Sequence, residues 1–480
     1  SAITSSTLFT ITGTNGTGSG EAFVTITIND KKTAIVSYEN ENATYVRGQA
    51  ILSNSPTTSD GAPVSFSVTP SLPSGLNLNP QTGVISGYPL VGAASAVYSV
   101  TATNTGGASS PKAITIAIAD IPSSGLVAVA ASDKNTCVIQ NGALYCFGDN
   151  EFGQMMLGTG KYSPSYAPVA TALTSGVTAV SVSRHHTCAV QNGALKCAGL
   201  NNKGQLGNNT LTANAGPQSV FAPLDSGVLS VTVGAEHTCA VKTDNSLWCF
   251  GSIGNVNPDK VPVQILAGGT QTIARGRWHS CAVIDGALKC AGANTFGQIG
   301  NGNTTTATTF ETAVGMESGI NIVSASPVQS CGIVNGALKC FGYNLHGELG
   351  DGTNTNSLIP SQVFGQTEKV AFASSGGCTT NGHGGPPGEI RCVYDNGDEG
   401  DHTCSIVDGT LSCFGDGNFG QLGNSSNADS NVPVLVSGLS SNVKTAASGA
   451  RHSCAIVGTE LKCWGDNFWG QIGNGSFTNT

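Results

Sequence analysis

The sequence predicts an all-β protein, and three observations support this class. Seven cysteine pairs lie symmetrically about short turns, the first cysteine of each pair recurs about every 50 residues, and apolar and polar residues alternate in the region before them. Only 10% of the 480 residues are charged, well below the usual quarter, while glycine alone contributes 65 residues. Such a composition favours short strands joined by turns.

The best-defined unit is the segment HTCAVQNGALKCAG, residues 186–199. Its centre, Asn192-Gly193, is a strong signal for a two-residue hairpin turn, because both central residues need a positive φ. Pairing outward from this turn places Cys188 opposite Cys197 at a non-hydrogen-bonded site, where Cα atoms lie about 4.5 Å apart. A disulfide tolerates this distance. The turn and the cysteines therefore predict one covalently closed hairpin.

The same arrangement recurs along the chain, with the cysteines equidistant from the centre of each turn. Gly458-Thr459 suits the mirror turn with glycine first, and Thr243-Asp244-Asn245 suits a three-residue loop. Opposed cysteines would bond more readily than hold a tetrahedral zinc ion, so we expect disulfides and an oxidising compartment. The predicted hairpin pairs are Cys137 with Cys146, Cys188 with Cys197, Cys239 with Cys249, Cys281 with Cys290, Cys331 with Cys340, Cys404 with Cys413 and Cys454 with Cys463.

Charge and hydropathy exclude several classes of partner. The net charge of −9 disfavours a nucleic-acid or anionic-membrane partner. The longest apolar runs have the length of strands, so we expect no membrane insertion. The chain starts with neither Met nor a signal peptide, which predicts a mature or excised chain. Together with the cysteines, this favours an extracellular or cell-surface location.

The N-terminal quarter contains an internal similarity. Residues 95–120 and residues 6–30 each read as an alternating strand, a turn and a second alternating strand. We therefore predict a complete sandwich domain over residues 32–121, and interpret residues 1–31 as the C-terminal remnant of a preceding copy. Two strands cannot bury a sandwich core alone, so we expect the remnant to be completed by upstream sequence or by another subunit.

The middle of that domain carries the phrase LPSGLNLNPQTGVISGYP from Leu72 to Pro89. This phrase resembles the signature LPxGLxLNxxTGxIxGxP of the immunoglobulin-like domains of bacterial surface proteins. The resemblance covers about 90 residues. It implies an immunoglobulin-like β-sandwich that acts as a spacer or an adhesive module, without catalytic residues.

Residues 122–480 predict a seven-bladed β-propeller. The first cysteines of the hairpins are spaced 51, 51, 42, 50, 73 and 50 residues apart, and a period near 50 with four short strands per unit is typical of this architecture. The 42-residue spacing reflects a shortened link in unit three, and the 73-residue spacing an insertion at about 376–401 with an eighth pair, Cys378 with Cys392. The last unit ends without a fourth strand, and residues 113–119 are expected in the sandwich. Either the chain continues or the last blade has three strands.

The repeats closely resemble those of the regulator of chromosome condensation family. That family carries G-x-x-H-T followed by W-G-x-N-x-x-G-Q-L-G, which stand here as GAEHTC, GARHSC and CWGDNFWGQIG, among others. The resemblance covers about three quarters of the chain. Its nuclear members imply nucleotide exchange, which an acidic, disulfide-bonded chain does not suit. Some secreted bacterial members inhibit β-lactamases through one propeller face, which implies a protein-binding surface.

A side chain with an N–H donor stands two residues before the first cysteine of every hairpin. It is histidine in five units and Asn135 or Gln329 in the other two. A ligand or base would not tolerate amide replacements, whereas a hydrogen-bond donor would. We therefore expect a repeated structural hydrogen bond from His186, His237, His279, His402, His452 and the two amides.

The positions just before these donors vary freely in the turn between strands one and two. Variation on a fixed scaffold is typical of binding loops, and an exposed Trp278 beside arginines would suit an interface anchor. The alternative is a set of solvated turns. The candidate binding face comprises Lys134, His185, Glu236, Arg277, Trp278, Val328, Asp401 and Arg451.

Two further patterns leave alternatives open. The residue before G-Q or G-E in the link after strand three is Phe152, Lys203, Phe296, His346, Phe419 or Trp469, which predicts packing between blades in preference to a sugar-stacking ring. The insertion carries Asp395, Asp398 and Asp401 among glycines. These carboxylates suit calcium, although the spacing is not that of an EF-hand, and a solvated acidic loop is the alternative. We expect no other cofactor.

No catalytic motif is found, so we do not expect an enzyme. The sequence favours an extracellular bacterial surface protein, structural or adhesive, in which sandwiches space a propeller that binds or assembles. Its expected partners are a protein or glycan on a cell surface, or copies of itself joined by strand donation. The alternative is a soluble, inhibitor-like protein-binding propeller.

Overall fold

The computed structural model describes residues 7–15, 18–26, 32–46, 51–63, 65–87, 89, 93–119, 125–158, 162–252, 259–377 and 401–479. Every helix or strand assigned within these ranges is a β-strand. The all-β prediction is therefore confirmed. No helix in these ranges has the length and apolarity that crossing a membrane requires.

The N-terminal repeat forms a hairpin of two long strands. Strand β1 (Thr7–Asn15) pairs antiparallel with β2 (Gly18–Ile26), in a register that runs from Thr7 opposite Ile26 to Asn15 opposite Gly18. The sheet that contains these strands has two members.

A β-sandwich follows this hairpin. Its larger sheet has the order β10-β9-β11-β4, with β6 also paired to β9, and two smaller pairs, β3-β5 and β7-β8, complete it. Alternation along β11 points Ile114, Ile116 and Ile118 into a core shared with Phe66 and Ile85, so residues 113–119 do belong to the sandwich. The strands are β3 (Ala34–Tyr38), β4 (Asn42–Val46), β5 (Pro56–Ser59), β6 (Ser65–Thr69), β7 (Leu76–Leu78), β8 (Ile85–Gly87), β9 (Ala93–Asn104), β10 (Gly107–Ala108) and β11 (Lys112–Ala119).

Seven antiparallel sheets form the blades of a propeller, and six of them have four strands in sequence order. Blades one to three are β12 (Leu126–Ala131), β13 (Asn135–Gln140), β14 (Ala143–Gly148), β15 (Ser165–Ala170); β16 (Val177–Val182), β17 (His186–Gln191), β18 (Ala194–Gly199), β19 (Asn214–Ser219); and β20 (Val228–Val233), β21 (His237–Lys242), β22 (Leu247–Gly251), β23 (Asp259–Leu266). Blades four and five are β24 (Thr270–Arg275), β25 (His279–Ile284), β26 (Ala287–Gly292), β27 (Ala307–Thr312); and β28 (Ile320–Ala325), β29 (Gln329–Val334), β30 (Ala337–Gly342), β31 (Ser357–Gln362). Blades six and seven are β32 (Val370–Gly376), β33 (His402–Val407), β34 (Thr410–Gly415), β35 (Ser430–Leu435); and β36 (Val443–Ser448), β37 (His452–Val457), β38 (Glu460–Gly465).

The second and third strands of every blade are joined by a disulfide. The paired cysteines are direct register partners, and their Cα atoms lie 4.0–4.1 Å apart. These are the seven hairpin pairs that the sequence predicts. The bonds join Cys137 to Cys146, Cys188 to Cys197, Cys239 to Cys249, Cys281 to Cys290, Cys331 to Cys340, Cys404 to Cys413 and Cys454 to Cys463.

The turns of these hairpins have the predicted backbone. Asn192 and Gly193 have φ of 51° and 78°, and Asn245 of the three-residue loop has φ of 62°. The eighth predicted pair, Cys378 and Cys392, lies outside the described residues, so its bond stays a prediction.

The disulfides belong to the cores between blades. In one such core, Cys137, Leu144 and Cys146 of blade one contact Val177 and Val182 from the first strand of blade two. Equivalent clusters join later blades. Each disulfide therefore closes its own hairpin and also supplies apolar surface to the neighbouring blade.

The ring closes between blades seven and one. Strand β12 contacts both β36 and β37, and the backbone N–H of Ala450 donates to the Ser132 carbonyl at 3.2 Å. Blade seven has three strands within the described residues, so β38 has a partner on one side only in this part of the chain. The consequence is local: Leu461 in β38 is half-buried, whereas Leu411, at the equivalent position in blade six, is fully buried.

Candidate interaction surfaces

A repeated hydrogen bond joins neighbouring blades at the predicted donors. The side-chain N–H of one blade meets a hydroxyl on the second strand of the next, and His452 makes this contact across the closure of the ring. The five bonds are His186 Nε2 to Thr238 Oγ1 (2.8 Å), His279 Nε2 to Ser330 Oγ (2.8 Å), Gln329 Nε2 to Thr403 Oγ1 (2.6 Å), His402 Nε2 to Ser453 Oγ (2.6 Å) and His452 Nε2 to Thr136 Oγ1 (2.8 Å).

The hydroxyls fix the tautomer of these histidines. Thr238 donates its own hydrogen to the Gln205 carbonyl at 2.9 Å, and Thr136 donates to the Gln471 carbonyl at 2.8 Å. Each hydroxyl therefore accepts from the imidazole, which carries its proton on Nε2 and stays neutral. Complete burial lowers the pKa of His186, His279 and His452 to about 3. These side chains hold the blades together.

Asn135 and His237 depart from this pattern. The Asn135 side chain accepts a hydrogen bond from Ser132 of its own blade, while its Nδ2 has no partner in the described residues. His237 accepts at Nδ1 from Arg275 Nη2 at 2.9 Å. Blade three is also the unit whose link after strand three is shortened in the sequence.

The links after strand three are rigid loops built from two side chains. In five blades an asparagine Oδ1 accepts the N–H of the residue five positions later, as Asn294 does from Ile299 at 2.9 Å. A Gln or Glu oxygen also accepts the N–H of the residue two positions earlier, as Gln298 does from Phe296 at 2.9 Å. Both groups are buried, so the backbone of the link is held from inside.

In each of the six described links, one residue next to the buried side chains points into solvent. It lies between the buried asparagine position and the residue before the glycine. Five different residue types occur at the six positions. Leu345 and Phe468 are 58% and 67% exposed. We call these positions the link tips: Glu151, Asn202, Thr295, Leu345, Asn418 and Phe468. They lie on the same face as the turns between strands one and two, and we call it the link face.

The candidate binding residues lie on this face, but none of them is exposed. Lys134, Arg277, Val328, Asp401 and Arg451 are buried, and His185, Glu236 and Trp278 are half-buried. The expectation of an exposed Trp278 was therefore wrong. Trp278 packs beside Arg277, whose guanidinium lies 5.4 Å from its ring. In blade two, the link of the preceding blade lies over the turn, as the bond from Gln154 Nε2 to the Arg184 carbonyl at 3.0 Å illustrates.

The aromatic side chains of the links provide this cover, as expected from the packing interpretation. Phe152 meets His185 edge-on with 5.3 Å between ring centroids. Lys134 lies 4.0 Å from the Trp469 ring, and the Arg451 guanidinium lies 4.0 Å from the Phe419 ring. Each pair joins a link to the following blade, and blades seven and one form such a pair too.

The predicted calcium ligands are described in part. Asp395 and Asp398 lie outside the described residues. Asp401 is buried and accepts a hydrogen bond from Ser326 Oγ at 3.1 Å. Within the described ranges, no three His, Cys, Asp or Glu side chains are grouped so that they could hold a metal ion. A calcium site in the insertion stays a prediction.

The sandwich contacts the opposite face, where the hairpin turns lie. Asn77 Nδ2 donates to the Gly319 carbonyl at 3.1 Å and also contacts Asn321, and Asn79 Nδ2 donates to the Asn335 carbonyl at 3.1 Å. Both asparagines belong to the phrase that resembles the immunoglobulin-like signature. Pro89 of the same phrase lines the central channel of the propeller.

Sequence reasoning missed the link tips because it singled out the neighbouring positions. The residue before the buried donor and the residue before the link glycine both vary between blades. Variation between blades is what marked these positions as candidate binding residues. The tip can be located from the sequence by the link asparagine, because a side chain that bonds five residues ahead must point inward and the next residue then points outward.

The chain matches known families in the two regions just described. The model "Regulator of chromosome condensation (RCC1) repeat" matches residues 141–190, 192–241 and 408–456, and a second model of this repeat matches residues 228–256. These matches lie in blades one to three and in blades six and seven of the propeller. The model "Putative Ig domain" matches residues 32–119.

Individual relatives resemble the propeller. The ultraviolet-B receptor UVR8 of Arabidopsis thaliana is 29% identical over 187 residues, which are 36% of this chain and 42% of the receptor. The regulator of chromosome condensation of Mus musculus is 29% identical over 192 residues, which are 38% of this chain and 45% of the mouse protein. The matched regions thus span less than half the length of these curated relatives.

Solved structures share the fold at low sequence identity. Yeast RCC1 (Prp20), solved bound to Kap60, has a TM-score of 0.59 and 15% identity, and the match covers 75% of this chain and 83% of the yeast chain. A second structure of Prp20p from Saccharomyces cerevisiae, reported with its binding to Gsp1p and histones, has a TM-score of 0.55 and 16% identity over 74% of this chain and 86% of that one. This similarity establishes the propeller fold.

Proposed function

We propose that this chain is an extracellular surface protein of the bacterial type, in which the propeller binds a protein partner through the link tips. The sandwich acts as the spacer. The observation that carries the proposal is the ring of variable, exposed tip residues on rigid loops. The protein partners of the yeast propeller, Kap60, Gsp1p and histones, support a protein-binding role in general.

The two faces of the propeller support the choice of surface. The face that carries the hairpin turns is occupied in part by the sandwich through Asn77 and Asn79, whereas the link face carries the link tips. Leu345 and Phe468 supply exposed apolar area among polar tips, and such anchors dominate the energetics of protein interfaces. The seven disulfides indicate an oxidising, extracellular environment.

The test measures binding of the labelled full chain to intact bacterial and host cells, with and without protease treatment of the cells. We expect protease-sensitive binding that the double substitution L345A and F468A weakens at least tenfold. The matched control is F364A with L435A, because these side chains are 65% and 63% exposed at positions away from the link tips. Equal loss in both double variants would refute the choice of the link face. Loss of binding after glycosidase treatment would point to a glycan instead.

A second candidate function is self-assembly by strand addition, and the edge of β38 that has no partner among the described strands favours it. In blade six the Leu411 N–H donates to the Leu439 carbonyl at 3.0 Å, and Val436 N–H returns a bond to the Leu411 carbonyl at 3.0 Å. Leu461 stands at the same position in β38, which is paired with β37 alone among the described strands. A strand from another copy would complete blade seven.

Negative-stain electron microscopy and mass photometry of the full chain test this second candidate. We expect filaments or oligomers in the wild type that L461P abolishes, because proline removes the N–H that the added strand would use. L461A keeps that N–H and should still assemble. Monomers for all three chains would contradict assembly at this edge.

A further inference from the structure

The central channel of the propeller has a volume of about 430 Å³ and is lined by the first strand of every blade. Most of the lining side chains are small, namely alanine, valine, serine and threonine. Gln271, at the sandwich side, and Arg275 both line the channel on β24. Four residues of extended strand separate them by about 13 Å, so Arg275 lies toward the link face.

Arg275 is a buried cation without an acidic partner among the described residues. Only 7% of it is exposed. Nη2 donates to His237 Nδ1 at 2.9 Å, and Nη1 lies 3.8 Å from the disulfide sulfur of Cys239. Nε has no hydrogen-bond partner in this part of the chain. Burial lowers the pKa of Arg275, and no carboxylate of the described ranges offsets this effect.

Other cations on the link face are compensated. Arg184 lies 3.6 Å from Asp133, and Lys134 and Arg451 lie over aromatic rings. The shortened link of blade three supplies no counter-charge to Arg275, because its residues 252–258 include no Asp or Glu. An unpaired buried charge costs several kcal/mol, and an anion from solution would offset that cost.

We propose that Arg275 binds the carboxylate of a small monocarboxylic acid inside the central channel. A guanidinium presents a planar set of donors that matches a carboxylate. His237 positions the guanidinium by accepting from Nη2, and the Nε–H faces no acceptor of the described residues. The alkyl chain of the acid lies along the apolar walls, which include Val182, Val233 and Ile273.

The charge balance and the walls select this class of anion. Arg275 contributes one positive charge, so one carboxylate neutralises it, whereas the second charge of a phosphate or sulfate dianion would be desolvated without a partner. An acid with a short alkyl chain also gains from the burial of that chain. Butyrate should therefore bind more tightly than acetate, and both should bind more tightly than sulfate.

The experiment is isothermal titration of the full chain with sodium butyrate at pH 7.5 and constant ionic strength, with thermal unfolding measured in parallel. Sodium acetate, sulfate and chloride are the comparison salts. We expect saturable butyrate binding, with a rise in melting temperature relative to chloride. R275M should weaken the binding at least tenfold. R275K keeps the charge but loses the planar donors, and should give an intermediate affinity.

The control variant is R184M, because Arg184 lies on the same face but beside Asp133. It should bind butyrate within twofold of the wild type. The wild-type titration alone decides the proposal if a variant fails to fold. Three results would overturn the proposal. The first is the absence of butyrate binding up to 50 mM, a dissociation constant that corresponds to a binding free energy of roughly −1.8 kcal/mol. The others are binding by R275M at the wild-type affinity, and tighter binding of sulfate than of butyrate.

Discussion

The neutral histidines between the blades make the propeller sensitive to acid. His186, His279 and His452 have a pKa of about 3 in the folded chain, against 6.5 when unfolded. Below pH 6.5 the unfolded chain therefore binds protons that the folded chain does not, and stability falls as the pH decreases toward 3. At pH 5 each histidine lowers the free energy of unfolding by about 2 kcal/mol, or about 6 kcal/mol for the three.

Replacement of these three histidines by glutamine should remove that loss. Gln329 already makes the same bond to Thr403 at 2.6 Å, so the amide can serve as the donor without titrating. The assay is denaturant unfolding at pH 7.5 and pH 5.0 with the disulfides intact. Tryptophan fluorescence reports the propeller, because all 4 tryptophans lie between Trp248 and Trp469.

The result that would refute this reasoning is an equal loss of stability in the wild type and the triple variant between the two pH values. Acidic groups contribute to the loss in both chains alike, so the difference between the two slopes isolates the histidines. A triple variant that is strongly destabilised already at pH 7.5 would instead show that the imidazole ring contributes by packing.

Three further predictions concern single parts of the molecule. Replacing Cys281 and Cys290 by alanine should lower the free energy of unfolding by about 2.7 kcal/mol in denaturant titration, from the loop entropy of the short closed hairpin, and a loss below about 1 kcal/mol would contradict this. N294A leaves the buried Ile299 N–H unpaired and should lower the free energy of unfolding by about 1–3 kcal/mol. T295A at the adjacent exposed tip should change this free energy little. Equal losses in the two variants would refute the description of the link as rigid. Replacing Asn77 and Asn79 by alanine removes the bonds to Gly319 and Asn335 and should increase the radius of gyration in small-angle X-ray scattering, and an unchanged radius would show that other contacts hold the sandwich.

Much of the propeller could be predicted because its determinants are local. A turn such as Asn192-Gly193 and its flanking cysteines set the register of a hairpin without reference to the rest of the chain. The inter-blade bond was predictable for a related reason, since His, Asn and Gln share an N–H donor. Asn135 shows the limit of this reasoning, because its shorter side chain bonds to Ser132 and does not reach the next blade.

The exposure of the site residues could not be predicted from the repeat alone. Whether His185 is open depends on Phe152 in the link of the preceding blade, a residue distant in the sequence, whose ring meets the imidazole edge-on. The burial of Arg275 was likewise not predictable from its place in the repeat. Its burial beside His237 follows from the packing of blade three on blade four, and no local pattern encodes this contact.

Because each of the described disulfides joins cysteines only nine or ten residues apart, oxidation can be completed within a hairpin before distant parts of the chain meet. A hairpin forms in microseconds, and closure of a ten-residue loop is faster still. The native partner is thus the first thiol that each of these cysteines encounters as the chain folds. Cross-linking of these hairpins then needs no later reshuffling by an isomerase. A long repetitive sequence can in this way pair its cysteines without a thiol buffer that corrects mispaired bonds.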